Sequence, residues 1–409
     1  MRSVATQPEA MRRAARVNRI KPSPSTAAAQ RVRELKAQGQ VILDLTVGEP
    51  DFDTPDHVKA AAVAAIERGE TKYTPVNGTP QLREAIRDRL ARRHGVHYTA
   101  DQITVGGGGK QVIFLALMAT LDAPDEVIIP APYWVSYPDM VLANDGVPVI
   151  VECPEAEGFK LTPSRLEQAI TAETRWLILN TPSNPTGAAY TAEELRGLAD
   201  VLLAHPHVWV LTDEIYDEIS YGPEQAPTLV AVEPRLADRV LITNGVSKTY
   251  AMTGWRIGYG VGPAELIGAI NTLQSQISSC PSSISQAAAV AALTGDQGFV
   301  RDCVTVYQGR RDKTVKLLND IPGLSCVVPA GGFYLFVNCA DLLGKRTLSG
   351  QVLQTDEDFT RYLLDSGQVA VIHGAAYGSP GYFRISFATS GEVLDESCQR
   401  IARACADLT

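Results

Sequence analysis

The sequence predicts an α/β fold: a large domain with a mostly parallel sheet covered by helices, plus a smaller α/β domain built from the N- and C-terminal segments. Three observations predict it. Between Ile103 and Asp213, short aliphatic runs alternate with stretches of helical period, the pattern of a parallel sheet packed on both faces. The run Ile103-Thr104-Val105 passes directly into Gly106-Gly107-Gly108-Gly109-Lys110-Gln111 and then into a helical stretch. The glycine run, Asn184, Asp213 and Lys248 all fall just past the carboxyl ends of predicted strands, where such sheets bind ligands.

In chain order, residues up to about 18 read as mobile. Their arginines form the one marked basic cluster, fitting a disordered arm or a weak transit-like sequence without the apolar core of a secretory signal. A helix is predicted over 25–38, capped by Ser25 or Thr26 and ended by Gly39. A strand follows at 41–45, then a loop, Gly48-Glu49-Pro50-Asp51-Phe52, which Pro50 keeps out of a helix. Helices at 56–69 and 81–95 flank a polar loop carrying Tyr73. Beyond the glycine run, strands are expected at 126–130, 147–151, 175–180 and 208–213, with helices at 112–121, 137–143, 162–170 and 192–204. Val240-Leu241-Ile242 reads as a buried strand and Arg256-Ile257-Gly258-Tyr259-Gly260 as another. After Leu273 the chain turns helical, with helices at 283–293 and 298–318. The tail reads as strand 333–337, a polar insertion near 345–355, helix 357–366, strands 369–372 and 382–387, and helix 394–406. The domains expected are an arm over 1–20, a large domain over 56–305, and a small one joining 21–55 to 306–409.

Composition narrows the function. Hydrophobic residues make up 45% and charged ones 20%, as in an ordinary globular enzyme. A net charge of −9 argues against a nucleic-acid partner, since binding a phosphate backbone calls for a basic face. No apolar run reaches the ~20 residues that span a bilayer. The seven cysteines are dispersed without a C-x-x-C pair, which suits reduced core thiols of a cytoplasmic protein. The six histidines show no metal-ligand spacing, so no metal is expected.

Lys248 sits between two strand-like runs, directly after Ser247 and eight residues before Arg256. A lysine amine can hold an aldehyde as a Schiff base, and a serine with an arginine can bind a phosphate. An aldehyde carrying a phosphate describes pyridoxal phosphate. The glycine run offers backbone N–H groups and a helix N-terminus to the same phosphate, although a glycine run alone serves tight packing about as often. Asp213 is equally a candidate helix cap, and Trp134 a core residue.

Further motifs accompany Lys248: Gly48-Glu49-Pro50-Asp51-Phe52, Lys72-Tyr73-Thr74-Pro75, Tyr133-Trp134-Val135-Ser136-Tyr137-Pro138, Asn184-Pro185-Thr186-Gly187, Asp213-Glu214-Ile215-Tyr216 and Phe383-Arg384-Ile385-Ser386. In this order they resemble the class I, aspartate-type aminotransferases, in particular the bacterial subgroup with bifunctional aspartate/prephenate enzymes. The likeness runs from about Lys21 to the C-terminus. It implies fold type I of the pyridoxal-phosphate enzymes, a two-half ping-pong transamination, and a homodimer with shared active sites.

The resemblance also implies roles. Lys248 is the cofactor lysine and the general acid and base. Asp213 faces the ring nitrogen, and Tyr216 and Asn184 the ring oxygen. Trp134 stacks on the ring. Gly108, Gly109, Lys110, Ser247 and Arg256 hold the phosphate, with Tyr73 reaching in from the partner chain. Arg384 clamps the substrate α-carboxylate, and Gly48 closes over the substrate. Lys110 matches a lysine that takes the distal carboxylate, and Lys21 one associated with prephenate. The chain departs from the subgroup in its four consecutive glycines, in Cys280-Pro281 and in Gly332. Two other readings stay open: a specialised cyclase or replacement enzyme on the same fold, and a ligand-sensing regulatory module.

Overall fold

A computed structural model describes residues 11–22, 24–222 and 226–409. At its centre lies a seven-stranded sheet in the order Ile103–Gly106, Gly258–Val261, Val240–Gly245, Trp209–Asp213, Thr174–Asn180, Glu126–Ala131, Val147–Glu152. All neighbours run parallel except Gly258–Val261, which is antiparallel to both of its partners. Successive residues of the central strands enter opposite cores, because side chains alternate across a strand. Leu177, Leu179, Val210 and Ile242 pack with Leu82, Ile86, Leu198 and Ala288 on one face. Trp176, Ile178, Leu211 and Leu241 pack with Ile113, Leu117, Ile267 and Ile270 on the other. Each such side chain stabilises the fold by roughly 1.5–3 kcal/mol of burial. These apolar, unalternating strands are therefore what a sheet covered on both faces requires.

The helices between the strands end where local chemistry says they should. Thr191 and Glu194 form a reciprocal capping box at the start of Ala192–Ala204. The Thr79 hydroxyl caps Pro80–His94, which Gly95 stops at φ 68°.

The two ends of the chain meet in a second assembly. Four antiparallel strands lie in the order Ile372–His373, Tyr382–Ser386, Tyr334–Asn338, Ser325–Cys326. Leu43–Asp44 pairs in parallel with Val369–Ala370, so the N-terminal segment is tied to the C-terminal one by backbone hydrogen bonds. Leu45, Tyr307, Phe333, Phe359, Phe383 and Ile401 share one core beneath helices Gly298–Asn319, Asp356–Gly367 and Gly391–Ala406.

Three differences from the sequence reading have physical causes. The strand expected over 41–45 pairs only at Leu43–Asp44, and Val41 is exposed. The single run 369–372 divides between two sheets, with Ile372–His373 turning to join Tyr382–Ser386. A full helix, Ala264–Ile277, begins nine residues before the expected helical region. Its signal was present: Pro263 at the entry and a buried face of Leu266, Ile267, Ile270 and Gln274. Gly262 and Gly268 masked it.

Residues 1–10 of the expected arm lie outside the described residues. The rest of the arm includes a short helix, Ala15–Arg19, with no buried residue and an ion pair from Arg19 to Asp145. All seven cysteines are free, and only Cys280 is not fully buried. Among the described residues, no helix is long and apolar enough to cross a membrane.

Candidate active site

Strand register decides where the site forms. Asn180 and Asp213, the last residues of their strands, lie side by side, with Thr243 next to Asp213 in a third parallel strand that runs on to Gly245. Lys248 follows three residues after the last of them. The small antiparallel sheet closes the opposite side, leaving a cavity of about 250 Å³ lined by Lys248, Asp213, Tyr216, Asn184, Arg256 and Arg384, among others.

Lys248 points its Nζ at the Gly48 carbonyl and donates a hydrogen bond to it. Burial lowers its amine to about 8, with nearby Glu49 opposing the shift and the Arg384 and Arg256 cations adding to it. Asp213 accepts a hydrogen bond from the Tyr137 hydroxyl at 2.7 Å on Oδ2 and from the Ile215 amide at 3.3 Å on Oδ1. Burial raises its carboxyl to about 6, although the Tyr137 and Ile215 bonds and the Lys248 charge act the other way. A buried carboxylate with no ion pair among the described residues is an expensive arrangement.

The glycine run forms one wall. Gly108 has φ 100°, and a Cβ there would collide with the Arg256 guanidinium. Only glycine lets the chain turn here with an arginine pressed against it. Helix Gly109–Thr120 begins at this wall, with its free N–H groups at the cavity. Arg256 is itself held at φ 57°, a left-handed conformation costing about 1–3 kcal/mol. Its guanidinium donates to the Thr253 and Gly107 carbonyls at 2.9 and 3.2 Å.

The other wall carries Arg384, which is 2% exposed. Its Nη1 donates to Asn184 Oδ1 at 3.1 Å and its Nη2 to the Thr46 carbonyl at 2.6 Å. Among the described residues, Arg384 Nε and Asn244 Nδ2 are buried donors with no hydrogen-bond partner, and both residues line the cavity. Lys110 Nζ lies 4.6 Å from the Trp134 ring centroid and donates to Ser136 Oγ at 3.1 Å. Burial lowers this amine, and Arg256 adds to the effect.

Of the residues singled out in the sequence, Gly48, Gly109, Lys110, Trp134, Asn184, Asp213, Tyr216, Ser247, Lys248, Arg256 and Arg384 line this cavity. Gly108 stands behind Gly109 against Arg256. Tyr73 and Lys21 do not line it. Tyr73 is 90% exposed beside a separate groove, and exposed Lys21 bonds Asp139 through its backbone N–H. Sequence reasoning passed over Tyr137, Asn180, Asn244 and Tyr334. Asn180 was visible as a polar residue closing an apolar strand. Tyr334, inside an aromatic strand run, gave no signal beyond core.

A family model described as aminotransferase class I and II matches residues 40–401. A probable aspartate/prephenate aminotransferase from Rhizobium leguminosarum is 53% identical, over 95% of this chain and 97% of its own. An aspartate/prephenate aminotransferase from Cereibacter sphaeroides is 51% identical, over 96% and 98%. The crystal structure of an aspartate aminotransferase from Rhizobium meliloti superposes with a TM-score of 0.95 at 52% identity, over 98% of this chain and all of that one. That of the Thermus thermophilus aspartate aminotransferase with maleate gives 0.89 at 39%, over 96% and all.

Proposed function

This chain belongs to the class I and II aminotransferases, and on that premise we propose that it binds pyridoxal phosphate and moves an amino group from L-aspartate to 2-oxoglutarate, giving oxaloacetate and L-glutamate, with conversion of prephenate to arogenate as a further reaction. One observation carries the reading: a buried lysine, a buried carboxylate, a glycine wall with an arginine, and a second arginine on the facing wall all share one cavity.

The donor set fits the cofactor. The helix N-terminus, Ser247 and Arg256 suit a phosphate dianion, Trp134 offers a ring face, and Asn244 Nδ2 is a buried donor awaiting an acceptor. Bound pyridoxal phosphate supplies an aldehyde and an electron-withdrawing ring. Asp213 would hold the ring nitrogen and favour its protonated form, because a cation opposite a buried carboxylate favours the charged form of both. Tyr216 and Asn184 would hold the ring oxygen. Arg384 takes the α-carboxylate through its fork, and Lys110 the distal carboxylate. Lys248, once free, carries a proton away from the substrate Cα and returns it elsewhere. Its lowered amine leaves part of the population neutral near pH 7, as a general base requires.

The enzyme works as a cytoplasmic homodimer, with exposed Tyr73 reaching the partner's phosphate site. Its domains divide at 21–55 with 306–409 and at 56–305. Lys21 extends the range to prephenate. Purified protein loaded with cofactor should produce oxaloacetate from aspartate and 2-oxoglutarate, and Lys248→Ala should not. Absence of oxaloacetate would refute the substrate assignment, and unchanged prephenate turnover in Lys21→Ala would remove that residue's role.

A further inference from the structure

We infer that Tyr334 is a positioning residue for the reaction, holding at once the hydroxyl of Tyr216 and the guanidinium of Arg384. The inference rests on the reading of Tyr216 as a donor to the cofactor and Arg384 as the carboxylate clamp. Tyr334 opens the strand Tyr334–Asn338, whose neighbour Tyr382–Ser386 carries Arg384. It is 1% exposed overall, yet it lines the cavity. Its hydroxyl lies 3.1 Å from that of Tyr216, and the two rings meet nearly perpendicular at 5.8 Å. The Arg384 guanidinium carbon sits 4.4 Å from its ring centroid. One side chain of the small sheet therefore touches a residue three positions past Asp213 and the arginine of the facing wall.

Both contacts have directional consequences. A phenol has a single proton to donate. If Tyr216 gives its proton to an oxygen in the cavity, the pair stays bonded only when Tyr334 donates to Tyr216. Tyr334 thereby aims the Tyr216 proton at the cavity. Arg384 has its two terminal nitrogens engaged by Asn184 and Thr46 and its Nε without a partner among the described residues. The face of the Tyr334 ring supports the guanidinium plane between those anchors. Gly48 leaves room for this: a Cβ there would stand 3.1 Å from the Tyr334 hydroxyl.

The two contacts separate in two variants of the loaded enzyme. Tyr334→Phe keeps the ring and loses the hydroxyl, whereas Tyr334→Leu loses both. The readouts are the pH midpoint of the visible absorption change and the dissociation constant for maleate. Tyr334→Phe should move the midpoint by at least ~0.5 pH unit, as loss of a hydrogen bond to a tuning group does, and leave maleate affinity nearly unchanged. Tyr334→Leu should also weaken maleate by about fivefold, the scale of a lost cation–π support. In a Tyr216→Phe background, Tyr334→Phe should cause no further shift of the midpoint. A wild-type midpoint in Tyr334→Phe, an additive shift in the double variant, or wild-type maleate affinity in Tyr334→Leu would each overturn the assignment. Wild-type protein that stays colourless with excess pyridoxal phosphate would instead sink the functional reading beneath it.

Discussion

Asp213, the last residue of its strand, and Asp217, four residues on, are buried carboxylates, and their surroundings push them in opposite directions. Asp213 faces the cavity, accepts from a phenol and an amide, and is raised to about 6 by burial. Burial acts on Asp217 too, but the Arg89 and Arg93 cations outweigh it and hold the carboxyl below its ordinary value. Arg89 Nη2 lies 2.7 Å from Asp217 and 2.9 Å from Glu218, and Arg93 Nη1 lies 2.6 Å from Glu218. The paired cluster fastens helix Pro80–His94 to the turn bearing Tyr216. Asp213 has no arginine against it among the described residues, and the Lys248 charge acts on it without outweighing burial. On the proposed function, the paired charges serve the fold and Asp213 serves the cofactor.

Substitutions should split along this line. Asp213→Ala should lower kcat on the order of 10³-fold, the scale of losing a preorganised charge, while the cofactor-free protein melts no lower than wild type. A lower melting temperature for that variant would break the contrast. Asp217→Asn should do the reverse, costing about 1.5–3 kcal/mol of stability because Arg89 keeps Glu218 but loses its charge-assisted bond to Asp217. Denaturant unfolding measures this, and a loss below about 1 kcal/mol would mean the cluster is not what anchors the turn.

Acid sensitivity sharpens the comparison further. Asp213 binds its proton more readily folded than unfolded. In cofactor-free protein its contribution is therefore present below about pH 4 and lost as pH rises through about 6, a change of about 3 kcal/mol. Asp217 contributes above the unfolded carboxylate value, and that stability is lost as pH falls through its lower folded value. Asp213→Asn should abolish the first slope and leave the second, and loading the cofactor should also suppress the first. Identical melting profiles for wild type and Asp213→Asn between pH 4 and 7 would disprove this.

The smallest effect expected is at Glu49, whose carboxylate is held by the Thr253 hydroxyl at 2.8 Å and raises the Lys248 amine. Glu49→Gln should move the midpoint for labelling of Lys248 in cofactor-free protein below about 8 by a few tenths of a pH unit. An unmoved or higher midpoint would show that Glu49 does not act on the lysine.

Much of the large domain was legible because apolar strands and amphipathic helices differ in period. Leu177 and Trp176 belong to different cores only because the chain is extended there. The helix Ala264–Ile277 was missed because Gly262 and Gly268 resemble loop punctuation, although tertiary packing of Ile267 and Ile270 outweighs their cost. Lys248, Asp213, Arg256 and Arg384 could be read because their chemistry is rare in such company. Tyr334 could not, since an aromatic residue in an apolar run packs far more often than it positions a partner, and Tyr137 stood in a quoted motif whose weight fell on Trp134.

The order of residues alone determined a doubly covered parallel sheet, a lysine-centred site and its family, because periodicity and motif spacing are properties of the chain. Only the tertiary structure decided that Thr46 and Arg384, 338 residues apart, would bond, that Asp217 would meet two arginines and Asp213 a phenol, and that Tyr334 would meet Tyr216. Those outcomes depend on which buried groups come within hydrogen-bond reach and which are left without a partner, and distance in space is not written in distance along the chain.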